Sequence, residues 1–213
     1  MNETKTNTNP EQRLVINYLK LRRYIGYLGM GLPVILMIGV AILDQEEAVI
    51  QYSISSYYYT RLGNVFVGIL VAVGVFLHAY KGHDKRDNLL ASTAAILVVV
   101  VALVPTSSTD HWQETVHLTS AALFFLILAY FSYFLFTKTD LKNPGTQKLR
   151  RNKIYRICGI AIVACLVSIG IFSSILGDFY YHLKLTFWFE ALALWAFGFS
   201  WLTKGEAILS DEE

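Results

Sequence analysis

Residues 157–176 read ICGIAIVACLVSIGIFSSIL, twenty residues without a charged side chain. At 1.5 Å per residue, a helix of this length is about 30 Å long, which matches the hydrocarbon core of a bilayer. A helix satisfies its own backbone hydrogen bonds in lipid, whereas an open strand does not. The stretch therefore predicts a transmembrane helix.

Five further apolar blocks of similar length are present. Hydrophobic residues make up 54% of the chain and charged residues only 16%, whereas an ordinary soluble domain has about 25% charged residues. The sequence predicts an all-α polytopic membrane bundle, residues 24–203, between an N-terminal tail (1–23) and a C-terminal tail (204–213). The six expected transmembrane helices are Tyr24–Leu43, Gly63–Tyr80, Leu89–Pro105, Thr115–Phe136, Ile157–Leu176 and Leu183–Leu202.

Lysine and arginine are unevenly distributed among the connecting segments. Sixteen of the eighteen lie in the two tails and in the second and fourth loops, which leaves only Arg61 and Lys184 for the other loops. Because basic residues are retained on the cytoplasmic side of a membrane, this pattern predicts that both ends are cytoplasmic. The net charge of +2 then follows from topology, and we expect membrane lipids rather than nucleic acid as partners. The expected location is a cell membrane of the bacterial inner-membrane type.

The N-terminal tail has two parts. Residues 1–10 are polar, whereas Glu11–Arg23 places apolar side chains such as Leu14 and Tyr18 at helical spacing among basic ones. The second part predicts either an interfacial amphipathic helix or an inward extension of the first span. The C-terminal tail ends in Ser-Asp-Glu-Glu and is expected to be solvated.

Ionisable residues cluster near the predicted outer ends of the spans. Glu190 lies about 10 Å inside the sixth span, where a carboxylate costs about 3 kcal/mol unless it faces a partner or a cavity. We expect it to point into the bundle near His117 or Arg61, at the floor of an outward-facing pocket. An interhelical hydrogen-bond network that only fixes packing is the alternative. The candidate pocket residues are Glu190, His117, Arg61, Thr186, Ser120, Asn64, His182 and Asp110.

Metal binding and nucleophilic catalysis have weaker support in the sequence. His111, His117 and His182 reach the predicted outer side, but they are not spaced as ligand pairs on one helix, so we expect neither a metal nor a cofactor. The serine loop, residues 53–56, lacks the Gly-x-Ser-x-Gly pattern of a nucleophile elbow. Its serines are expected to form turns or helix caps.

Short motifs lie at the ends of the second to fourth spans: Ser53–Tyr59 with Arg61, Val65–Leu70, Tyr80–Gly82 with Asp87 and Asn88, Ala102–Thr106, and His117 with Ser120–Phe125. They resemble bacterial membrane proteins of the domain-of-unknown-function 998 type. That group is distantly similar to the six-helix Frag/DRAM/Sfk membrane proteins, some of which are linked to lipid handling. The resemblance implies a six-helix fold and carries no activity.

Three classes of function are compatible with these features. The leading prediction is a membrane protein, not necessarily an enzyme, that binds a lipid or small amphiphile in the outward-facing pocket. The second is a membrane-embedded hydrolase or acyltransferase that uses serine, histidine and aspartate at the outer face. The third is a small transporter subunit or scaffold.

Overall fold

The computed structural model describes residues 10–44, 47–106, 110–139 and 145–209. The polar start of the N-terminal tail and the acidic Ser-Asp-Glu-Glu end lie outside these residues. The described part contains α-helices, a 3₁₀ helix at Ser55–Tyr59 and a π-helical turn at Phe131–Leu135, but no strand. The α-helices are α1 (Pro10–Leu43), α2 (Gly63–Ala79), α3 (Lys85–Leu103), α4 (His111–Tyr130), α5 (Thr146–Ile175), α6 (Asp178–His182) and α7 (Leu185–Lys204).

The six long helices form a closed ring. Each packs on the next in the order α1, α2, α3, α4, α5 and α7, and α7 returns to α1. We call the two ends of the ring the serine-loop end, where α1, α3 and α5 finish, and the basic end, where they begin. Large apolar side chains such as Ile96, Leu126 and Ile160 remain exposed on the outside of the ring. A surface of this kind is suited to lipid, which solvates apolar side chains.

The predicted all-α fold is confirmed for the described part of the chain. Five helices are long and apolar enough to cross a membrane: α1, α3, α4 with its π-helical turn, α5 and α7. α2 is equally apolar in character but has 17 residues. Two helices begin well before the predicted spans, because the polar residues that precede the apolar blocks of α1 and α5 continue the same helix.

The segment Glu11–Arg23 belongs to α1, which runs without a break into the first apolar block. Of the two sequence alternatives, the structure therefore has the extension and not a separate interfacial helix. The extension packs against its neighbours at the basic end. The Tyr18 ring stacks on Tyr80 at 5.8 Å between centroids, and Arg23 Nε donates to the Gly205 carbonyl at 2.7 Å.

Small residues allow α1 and α7 to approach closely. A Cβ atom at Gly198 would lie 2.7 Å from the Gly26 carbonyl oxygen and 2.2 Å from Met30 Cγ. A Cβ at Gly26 would in turn lie 2.9 Å from the Gly198 carbonyl oxygen. Close backbone approach through small residues is a common way for helices to associate where lipid removes the hydrophobic driving force.

The loop between α2 and α3 is fixed by side chains of α3. Gly82 N donates to Asn88 Oδ1 at 2.7 Å, and a Cβ at Gly82 would lie 2.2 Å from Asp87 Cβ. Asp84 caps α3 by accepting hydrogen bonds from the backbone N–H groups of residues 86 and 87. Lys138 Nζ then bridges Asp84 Oδ2 at 3.1 Å and Asp87 Oδ1 at 2.7 Å, which ties the π-helical turn to this loop.

The same contacts shift two pKa values at the basic end. The backbone N–H of Asp87 and the Lys138 ammonium stabilise the ionised Asp84 carboxylate and lower its pKa from 3.8 to about 2. The two carboxylates likewise raise the pKa of Lys138 above 10.5, chiefly through the hydrogen bond to Asp87. Both charged forms therefore stabilise the folded state around neutral pH.

Candidate functional site

The serine loop is compact, and the residue that follows it, Tyr57, attaches it to the ring of helices. Ser53 Oγ lies 2.8 Å from Ser56 Oγ and accepts a hydrogen bond from the Ser56 backbone N–H at 3.1 Å. The buried Tyr57 ring packs near Phe187 at 6.0 Å between centroids, and its hydroxyl donates to the Val49 carbonyl. Ser53 thus has the turn-forming role expected of a serine at this position.

Two hydrogen bonds join the serine loop to the first turns of α7. Phe187 N–H has no partner within its own helix, as is usual in a first turn, and donates to the Tyr52 carbonyl at 3.1 Å. One turn further into the helix, Glu190 Oε2 accepts a hydrogen bond from Ile54 N–H at 2.7 Å. The Glu190 side chain, on a helix long enough to cross a membrane, therefore stabilises the backbone of Ile54, the residue before Ser55.

His117 joins the serine loop to α4. The imidazole is 1% exposed, with Nδ1 2.6 Å from the Val104 carbonyl oxygen and Nε2 2.8 Å from Ser55 Oγ. A carbonyl oxygen can only accept, so Nδ1 carries the proton of the neutral imidazole. Nε2 is then the acceptor, and the Ser55 hydroxyl donates to it. The geometry thus assigns both the tautomer of His117 and the direction of its bond to Ser55.

Glu190, His117 and Ser55 line one cleft of about 750 Å³ at the serine-loop end of the ring. The stacked rings of Tyr52 and Tyr181, 5.1 Å apart, lie along its wall. The described residues around the cleft are Tyr52, Ser53, Ser55, Ser56, Tyr59, Thr106, Glu114, His117, Leu118, Ala121, Ile169, Ser173, Tyr181, Thr186 and Glu190.

An apolar void of about 40 Å³ lies beneath the cleft, inside the ring. Ser55, Ala121 and Glu190 line both spaces, so they separate the polar cleft from the apolar interior. The remaining wall of the void consists of hydrophobic side chains: Leu32, Ile54, Phe66, Leu70, Val98, Val101, Phe124, Phe125 and Leu194.

Three of the predicted pocket residues share the cleft: Glu190, His117 and Thr186. Thr186 Oγ1 donates to the Tyr180 hydroxyl at 2.9 Å, which fixes the short helix α6 beside the cleft. Ser120 is buried one turn beyond His117 on α4 and does not line the cleft.

The other predicted residues lie elsewhere. Arg61 Nε lies 3.5 Å from Asp44 Oδ1, and Arg61 lines a separate pocket with Asn64, so it does not neutralise Glu190. His182 is exposed on α6. Asp110 caps α4 by accepting a hydrogen bond from the Trp112 backbone N–H at 3.0 Å.

Ser55 is not among the predicted pocket residues, because the sequence favours a turn or helix cap for the serines of this loop. It is separated from His117 by 62 positions, and no local motif marks the pair. The contact exists because the 3₁₀ helix at Ser55–Tyr59 folds over the ring and meets the second turn of α4. Within the described residues, no group of three or more His, Cys, Asp or Glu side chains is placed to hold a metal ion.

The fold and the cleft together define an all-α protein with several helices suited to crossing a membrane and a polar cleft at one end of the helical ring. No protein-family model, curated protein or solved structure matches the chain. The resemblance to the domain-of-unknown-function 998 proteins therefore stays a prediction.

Proposed function

We propose that the chain is a six-span protein of a cell membrane, with both ends cytoplasmic, that binds a lipid or small amphiphile in the cleft. The length of α2 is sufficient for a sixth span. Its 17 residues extend about 25 Å, and about 17 residues is the lower limit for a transmembrane helix. α2 also occupies a full position in the ring, between α1 and α3. Six spans return the chain to the side on which it begins.

The charge distribution supports an outward-facing cleft. Arg22, Lys138 and Lys148 lie at the basic end of the ring, together with most other Lys and Arg residues of the chain. Arg61 and Lys184 lie at the serine-loop end. The positive-inside rule places the basic end in the cytoplasm and the cleft on the opposite side.

The observation that carries the binding proposal is the mixed lining of the cleft. Ser55, His117 and Glu190 supply polar groups, whereas Leu118, which lines the same cleft, is 54% exposed on the outer surface of α4. The cleft therefore continues onto the apolar surface of the ring. An amphiphile can place its polar head in the cleft while its chain stays in the surrounding lipid.

The acidic composition of the lining disfavours an anionic head group. Two acidic side chains, Glu114 and Glu190, line the cleft, and its described lining includes no lysine or arginine. Tyrosine rings such as Tyr52 and Tyr181 add faces that attract ammonium groups. We expect choline or ethanolamine lipids, or neutral glycerolipids, to bind in preference to anionic phosphatidylglycerol.

Native mass spectrometry of the gently purified protein tests this function. The wild-type protein should retain an amphiphile in about one-to-one ratio. Ala121→Trp, which fills the boundary between the cleft and the void, should lose it. Ala122→Trp, on the exposed side of the same helix, is the matched control and should keep it. Equal retention by both variants, or no retained amphiphile in the wild type, would refute the proposal.

A further inference from the structure

The contact between Ser55 and His117 has the arrangement of a nucleophile and its general base. The Ser55 hydroxyl donates to His117 Nε2 across 2.8 Å, within the 2.6–3.2 Å range that proton transfer needs. The Val104 carbonyl accepts the Nδ1 proton at 2.6 Å and holds the ring in this orientation. A backbone carbonyl thus occupies the place that a carboxylate has in many catalytic triads.

The pair is also placed where a substrate can reach it. Ser55 is 9% exposed and His117 is 1% exposed, and the exposed surface of both faces the cleft. A histidine that only secured the serine loop to α4 could lie in the closed interior. Here the hydroxyl that donates to it stands at the boundary between the polar cleft and the apolar void.

We propose that Ser55 is an acyl-accepting nucleophile and His117 its general base, in the hydrolysis of a carboxylic ester carried by an amphiphile in the cleft. The substrate class rests on the proposed binding function, because the open side of the cleft suits a molecule with a polar head and an apolar chain. The ester bond, which lies between head and chain in ester lipids, is then at the depth of Ser55.

The reaction needs only water as a second substrate. Ser55 Oγ attacks the ester carbonyl carbon, and its proton moves to His117 Nε2. The bond between that carbon and the alcohol oxygen breaks, and the Nε2 proton passes to the departing alcohol. The acyl group is now esterified to Ser55. A water molecule, deprotonated by His117, attacks the acyl carbon, the bond to Oγ breaks, and the proton returns to Ser55 as the carboxylic acid leaves.

Glu190 is a positioning residue in this scheme. Its carboxylate accepts from Ile54 N–H at 2.7 Å, directly before Ser55 in the chain, and so holds the backbone that presents the hydroxyl. The carboxylate forms no bond in either step. Glu190→Ala removes this acceptor and should slow the reaction of Ser55, and Glu190→Gln, which keeps an oxygen that can accept the same hydrogen bond, should restore part of the lost rate.

A fluorophosphonate probe tests the nucleophile without knowledge of the natural substrate. Purified wild-type protein in nanodiscs should be labelled, and peptide mass spectrometry should place the label on Ser55. The labelling rate should rise with pH through a single titration. His117→Gln should lower it by about 100-fold or more and abolish that titration, measured at a temperature at which this variant is still folded. Ser174→Ala, on the exposed side of α5, is the matched control and should label at the wild-type rate.

The position of the label on the wild-type protein is decisive even if Ser55→Ala fails to fold. An unmodified Ser55 at saturating probe, or equal labelling rates in wild type and His117→Gln, would overturn the proposal. An amphiphile retained in the native mass spectrum of a protein whose Ser55 is never labelled would overturn the esterase and leave the binding function standing.

Discussion

Glu190 is costly to insert into a membrane, and the contact that satisfies it also shapes the candidate cleft. A carboxylate inside a membrane-length helix is unfavourable unless it is satisfied, and here one oxygen accepts the Ile54 N–H. Ile54 is 5% exposed, so its N–H has little access to water if that acceptor is removed. The hydrogen bond therefore contributes to the stability of the serine loop as well as to the shape of the cleft.

Substitution of Glu190 should separate the hydrogen bond from the charge. Glu190→Ala leaves the Ile54 N–H without its acceptor and should lower the free energy of unfolding by about 1–3 kcal/mol. Glu190→Gln keeps an acceptor and should cost much less. Unfolding in mixed micelles titrated with sodium dodecyl sulfate measures both values. Equal losses in the two variants would show that the charge, and not the hydrogen bond, stabilises this loop.

The position of Glu190 could be predicted from sequence, but its partner could not. The cost of burying a carboxylate predicted that it would face the interior, and it lines the cleft with His117. Arg61 is one of the two neighbours that the sequence predicts for Glu190, but it pairs with Asp44 across the loop that follows α1. Asp44 is 17 positions from Arg61 and lies at the end of an apolar block. Arg61 therefore pairs with this nearer carboxylate and not with Glu190.

At the scale of elements, apolar length predicted the helices, whereas their polar extensions and loops depended on tertiary contacts. The sequence allows two structures for the segment Glu11–Arg23. In the fold, this segment continues α1 and contacts the ends of α2 and α7. In the sequence, the motif Tyr80–Gly82 with Asp87 and Asn88 indicates a family resemblance and no structural role. In the structure these residues build the loop before α3.

The link between Lys138 and the α2–α3 loop should make stability depend on pH in a defined window. The pKa of Asp84 is depressed from 3.8 to about 2 in the folded state, so its contribution is present above pH 4 and is lost as pH falls towards 2. The raised pKa of Lys138 gives a contribution that persists below pH 10.5 and is lost at higher pH.

Melting temperatures of wild type and Lys138→Met in detergent, compared across pH, measure this link. The difference should be constant from about pH 5 to 9 and should shrink below pH 4. Lys153→Met, at an exposed position of α5, is the control and should show no such window. A Lys138→Met difference that stays unchanged down to pH 2 would contradict the assignment.

The contact between α1 and α7 gives a second prediction at this scale. Gly198→Val places side-chain atoms against the Gly26 carbonyl and Met30, and should lower the free energy of unfolding by about 1–3 kcal/mol. Gly170→Val is the matched control, because apart from the adjacent backbone of its own helix no atom lies within 4 Å of a Cβ at that position. Unfolding in mixed micelles compares the two. A Gly198→Val protein as stable as the control would mean that the two helices do not approach this closely.

At the scale of the whole molecule, the ring of helices places the cleft between a polar and an apolar environment. The helices supply an apolar outer surface and interior, and the serine loop covers one end with polar groups. The candidate site therefore depends on residues from six segments: the serine loop with its flanking tyrosines, the loop between α3 and α4, and the helices α4, α5, α6 and α7. Sequence periodicity predicts each helix separately but does not specify which faces meet, which is why Ser55 and His117 were not paired in advance.

In the proposed topology, the cleft opens to the outside of the cell and the basic end faces the cytoplasm. Cysteines at the two ends of α5 test it directly: Ser173→Cys in the cleft and Gly145→Cys at the start of the helix, each with Cys158 and Cys165 replaced by alanine. In intact cells, a small membrane-impermeant methanethiosulfonate should modify Ser173→Cys and should reach Gly145→Cys only after permeabilisation. Modification of Gly145→Cys in intact cells, with Ser173→Cys protected, would refute the proposed topology.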